Sequence, residues 1–131
     1  MFVKMVVMIL ALSLATVNSY IAGGVIDADI NAPEVQEALQ FAIAEYNRVT
    51  NSMWVSQVSK VIQVQQQVVS GIKYIFNVEM ARTSCKKGEE PMEACEVHSD
   101  PNIAQVDVCR LVVWSQPWLN SNKLVENTCG L

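Results

Sequence analysis

Four cysteines, Cys85, Cys95, Cys109 and Cys129, all fall in the last third of this 131-residue chain. What they can do depends on where the chain goes. It opens Met1-Phe2-Val3-Lys4, runs apolar from Met5 through Leu14 and reaches small residues at Val17-Asn18-Ser19. A basic start, about ten apolar residues and a small residue before the cut are the marks of a secretory leader. The same stretch also suits a buried N-terminal helix, but a membrane anchor needs about twenty apolar residues. We expect residues 1–19 to be a signal peptide, residues 20–131 to form one domain, and the protein to be secreted. In an exported chain an even cysteine count points to disulfides, and four cysteines permit three connectivities. The sequential pairing would close two short loops, each worth about 3 kcal/mol in the loop-entropy picture. A zinc site is the weaker reading. No two cysteines are close enough in sequence for a ligand pair, and His98 is the single histidine.

Removal of the leader leaves 112 residues, enough for one modest core. That part carries 8 basic side chains against 13 acidic, a net charge of −5. A nucleic-acid or anionic-membrane partner needs a basic patch, so neither is expected. No Asn-x-Ser/Thr sequon is present.

From Val35 the apolar residues Ala38, Leu39, Ala42, Ile43, Tyr46 and Val49 follow in steps of three and four, which is one face of a helix. Asn31 followed by Glu34 reads as a capping box, with Pro33 in the first turn. Phe41 lies off that face, so the core should wrap around it. Beyond Thr50 the period changes to two. Ile72, Tyr74, Phe76, Val78 and Met80 alternate with polar residues except at Ile75, the pattern of a half-buried strand. Residues 54–66 read as a second strand with weaker alternation. Residues 103–115 read as a third, inside the sheet, and 123–129 as a short last one. Trp114, at an alternating position, is expected to fold over the core. The sum is an α+β domain, one long helix across a four- to five-stranded antiparallel sheet.

Three segments do not fit a purely structural role. Gln67-Val68-Val69-Ser70-Gly71 joins two strands, and a turn holding adjacent valines puts apolar surface in water. Pro117 breaks the pairing after the third strand and sets Trp118 at a turn, where an exposed tryptophan is a frequent binding hot spot. Ile21-Ala22-Gly23-Gly24 makes a pliant stretch ahead of the helix. Each alone has an ordinary reading: a connection, a tryptophan folded over the core, a loose terminus.

In this order, with Ala38-Leu39-Gln40-Phe41-Ala42, Glu45-Tyr46-Asn47 and Arg82-Thr83-Ser84-Cys85, the segments resemble the secreted two-disulfide cystatins from about residue 23 onward. The resemblance implies the pairs Cys85–Cys95 and Cys109–Cys129. It also implies reversible, tight inhibition of papain-like cysteine proteases of the cathepsin B, H, L and S type. Ala22, Gly23, Gln67, Val68, Val69, Ser70, Gly71, Pro117 and Trp118 would then line a wedge that fills the protease cleft. In the family a larger aliphatic side chain usually stands where this chain has Ala22. Some secreted cystatins also inhibit legumain through an asparagine after the helix. Asn51 matches that place, although Ser52 follows where an acidic residue is common, and the simpler role of a helix C-cap is favoured. No catalytic residue, metal or cofactor is implied, and one histidine with paired cysteines offers no enzymatic nucleophile and base. The expected state is a monomer, with a domain-swapped dimer through the first hairpin as its alternative. The rival function is a cystatin-fold binding, signalling or antimicrobial protein with little protease inhibition.

Overall fold

The computed structural model describes residues 24–89 and 95–130. The expected leader, Ala22 and Gly23 lie outside the described residues. Five antiparallel strands, β1 (Val25–Asp27), β2 (Trp54–Val69), β3 (Gly71–Lys86), β4 (Asp107–Gln116) and β5 (Ser121–Cys129), form one sheet in sequence order. Helix α1 (Pro33–Val49) crosses one face, and α2 (Pro101–Ala104) is a single short turn before β4. The α+β architecture read from the periodicities is the one found.

Helix α1 forms because its apolar stripe meets the sheet. Val35, Ala38, Leu39 and Ala42 are buried against Val64, Tyr74, Phe76, Val78, Met80, Leu111 and Val113. Phe41 packs at the margin of this cluster, as its off-face position suggested. The capping box does not form. Pro33 is the first helical residue and forces its neighbour Ala32 into an extended conformation, so Ala32 becomes the N-cap without a side-chain bond. Asn31 instead donates its backbone N–H to Asp29 Oδ1 (2.9 Å). At the other end Thr50, not Asn51, is the C-cap, and the Lys87 ammonium donates to its carbonyl (2.8 Å) and hydroxyl (3.1 Å). A cation there offsets the negative end of the helix dipole.

Asn47 fixes the helix to the sheet. Its amide donates to the Ile43 and Ser56 carbonyls and accepts from the Ser56 N–H (2.7 Å). Ser56 borders one of three register shifts in β2, at Trp54/Ser56, Val58/Lys60 and Val61/Gln63. These shifts account for the weak alternation of that segment: each extra residue swaps the faces of those that follow. Val58 and Val64 therefore reach the core, whereas Ile62 is exposed and Trp54 stacks edge-on against His98.

The face away from the helix has no second layer among the described residues. Ile75, the exception to the alternation of β3, lies on it opposite Val112, and both are buried. Lys73, Asn77, Arg110 and Trp114 flank that pair in register, and Arg110 bonds Glu126 across to β5 (2.8 Å). Trp114 belongs to this face, so it does not fold over the core as expected. It alternates with the buried Val113, and its ring lies beneath the Lys123 ammonium, 5.9 Å from the ring centre.

Residues 103 and 104, read as the start of a strand, belong instead to α2, because Asp100 caps Pro101 and accepts from the Asn102 N–H (3.0 Å). The disulfides are Cys85–Cys95 and Cys109–Cys129. Cys109 and Cys129 face each other in the β4–β5 ladder, so the second bridge clamps that hairpin at its open end. The first ties the end of β3 to the segment Glu96–His98, which runs back along Arg82–Ser84.

Candidate functional site

Sheet order and strand direction bring two turns to one end of the molecule. Strand β2 ends at Val69 and β3 begins at Gly71, so Ser70 alone separates them. Such a tight reversal needs a residue with positive φ, and Gly71 supplies it at +95°. Strand β4 ends at Gln116, the 3₁₀ turn Pro117–Leu119 follows, and β5 returns from Ser121. Asn120 closes that turn in the left-handed region (φ 48°), donating its N–H to the Pro117 carbonyl (2.9 Å). Because β3 and β4 are neighbours, with Ile72 opposite Ser115, the two turns stand side by side. Strand β1 adds a third chain segment. Val25 pairs with Gln67 and Asp27 with Gln65, so the start of β1 lies at the same end. This strand was not read from the sequence, where only the glycines were noticed; the β-branched pair Val25-Ile26 was the available signal.

The side chains at this end are apolar and in water. Val68 is 51% exposed, and Trp118 and Leu119 are each 62% exposed. By alternation Val68 lies on the helix face with Ile72, and Val69 on the opposite face with Lys73. Gln67, Val68 and Val69 are the last three residues of β2 and lead into the turn at Ser70. Leu119 was missed by the sequence reading, though the argument used for Val68 and Val69, apolar residues in a turn, applies to it equally. A cleft of about 200 Å³ lies behind the second turn, bounded by Glu34, Tyr74, Ser115 and Pro117. Burial, with Glu34 and Glu37 nearby, pushes the Tyr74 hydroxyl above its ordinary range, so it stays neutral there.

Asn51 lies at the opposite end of the sheet, just ahead of Trp54, and is exposed. It borders a polar cavity of about 480 Å³ that also touches Tyr46, Arg82 and Asp107. No group of three or more metal-ligating side chains occurs among the described residues.

An edge of exposed valine, tryptophan and leucine on a disulfide-clamped sheet can bury apolar surface against a groove. A family model, the cystatin domain, matches residues 23–118. The chain belongs to the cystatin family. A protein named cystatin from Oncorhynchus keta is 46% identical over 126 residues, 96% of either chain. A cystatin from Gallus gallus is 46% identical over 112 residues, 86% of this chain and 81% of the other. The crystal structure of dimeric human cystatin F superposes with a TM-score of 0.73 at 27% identity, covering 86% of this chain and 90% of that one. As a cystatin the chain inhibits papain-like cysteine proteases and is not an enzyme. Within the matched span stand the helix, the first turn and Pro117-Trp118 of the second; Gly23 begins the match, Ala22 precedes it and Leu119 follows it.

Proposed function

We propose that the protein inhibits by inserting the edge formed by Gln67–Gly71 and Pro117–Leu119, with Ala22-Gly23 beside them, into the active-site cleft of a papain-like protease. The observation that carries this reading is the exposure of Val68, Trp118 and Leu119 on two adjacent turns. Their burial supplies roughly 25 cal/mol per Å² of apolar surface, and turns already fixed by the sheet lose little entropy on docking. Gly23 would let the backbone pass the catalytic cysteine without offering a peptide bond in register for cleavage. The block is then steric and reversible. Targets of the cathepsin B, H, L and S type share the cleft that such a wedge requires.

Export belongs to the same reading: residues 1–19 act as a leader cut after Ser19, and residues 20–131 are the secreted inhibitor. The two disulfides support this, since such bonds persist in oxidising compartments. The secreted form is a monomer. A second activity, inhibition of legumain through Asn51, is favoured by one observation. Thr50 rather than Asn51 caps the helix, so the simpler role assigned to Asn51 is already filled.

Titration of active papain with oxidised residues 20–131 tests the wedge. Stoichiometric, reversible loss of activity is expected. Absence of inhibition by correctly disulfide-bonded protein would overturn the reading.

A further inference from the structure

We infer that Trp114 is a positioning residue that locks the first turn against the second, so that the two meet a protease as one rigid edge. Three observations carry this. Trp114 lies on the face away from the helix, so its ring is not required to fill the core. Its indole N–H donates to the Ser70 carbonyl at 2.7 Å, and Ser70 is the one residue outside both strands of the first hairpin. In register Trp114 stands between Lys73 of β3 and Lys123 of β5, and the Lys123 ammonium lies over its ring. One side chain thus touches both hairpins, four residues before Trp118.

The energetics favour this geometry. A tryptophan has two side-chain torsions, so holding it costs little entropy, and its single N–H seeks one acceptor. A cation over the ring adds electrostatic attraction. Ser70 otherwise sits on a two-strand tip, the part of a hairpin that frays first. Anchoring its carbonyl to β4 reduces the freedom that binding would have to remove, and that saving is read mainly in the dissociation rate.

This inference rests on the wedge reading, and the test separates the two. Trp114→Phe keeps an aromatic ring and removes the N–H. In the oxidised mature chain it is expected to raise the dissociation rate from papain about fivefold, the loss of one modest hydrogen bond, with the association rate nearly unchanged. In the free protein, backbone amide order parameters at Ser70 and Gly71 should fall while those of α1 stay constant. In the unsubstituted protein the Trp114 indole proton should exchange more slowly than that of Trp118. Unchanged dissociation, or faster dissociation with unchanged order parameters at Ser70 and Gly71, would overturn the lock while leaving the wedge standing. An indole proton at Trp114 that exchanges as fast as that of Trp118 would overturn it too. If the unsubstituted protein fails to inhibit papain, the wedge reading falls and this inference with it.

Discussion

Gly71 lies so close to Ser115 that a methyl group on its Cα would overlap the Ser115 carbonyl oxygen. The same glycine has φ +95°, so two separate demands exclude a side chain. The first turn is therefore pressed onto β4, the strand that leads into the second turn. This contact sets the relative height of the two apolar tips.

Replacing Gly71 by alanine should cost stability of about 1–3 kcal/mol from backbone strain alone. The turn must also lift away from Ser115. Inhibition of papain is expected to weaken by more than tenfold, because a displaced tip no longer aligns Val68 and Val69 with Trp118. Thermal melts and inhibition constants on the same preparation check both effects.

Trp118 and Leu119 are mostly in solvent, so neither supports the fold. Trp118→Ala should weaken protease binding by about 2–4 kcal/mol, the range of an interface anchor. Leu119→Ala should cost about 1–2 kcal/mol, by loss of apolar contact. Both should leave the melting temperature within about a degree of the parent. A fall in stability without loss of inhibition would show that these side chains face the domain and not the cleft.

Residues 67–73 and 114–123 contain no Asp, Glu or His. Histidine is the ordinary side chain that changes charge between pH 5 and 8, and the only one, His98, sits at the far end beside Trp54. No side chain of the two turns should titrate in that window. Inhibition constants from pH 5 to 7.5 are expected to follow the protease's own ionisation, and His98→Gln should leave that profile unchanged.

Ala22 is the small residue of the N-terminal segment. Ala22→Leu adds apolar carbons and should tighten binding to cathepsin L-like enzymes by about 1–2 kcal/mol. Constants that stay the same across several such proteases would show that this segment does not enter the second subsite.

Asn51 and the two turns are separated by the length of β2, about 50 Å of strand path. Asn51→Lys should abolish legumain inhibition and leave papain inhibition intact. Measuring both proteases on one variant checks this, and legumain inhibition that survives would remove the second site.

Much of this was legible from residue order. Helix α1 was readable because its apolar stripe keeps one period for four turns. Strand β3 was readable because Ile72, Tyr74, Phe76, Val78 and Met80 keep the other. The valine pair and Pro117-Trp118 stood out because apolar residues in turns are costly unless something covers them. The capping box at Asn31 failed for a local reason, the constraint that Pro33 places on Ala32. The bulges in β2, the pairing of β1 and the Lys87 cap on Thr50 depend on partners distant in sequence, and no local pattern encodes them.

The sequence by itself determined the class of fold, the type and order of its main elements and, through family resemblance, the inhibitory function. Only the tertiary structure decided which segments stand together. It set Trp114 on the open face with its N–H on Ser70, 44 residues away, and it added Leu119 to the exposed edge. Periodicity reports how each strand divides its side chains between two faces. Which face meets the helix, and which turn lies beside which, follows from strand order and register, and these exist only once the chain has closed.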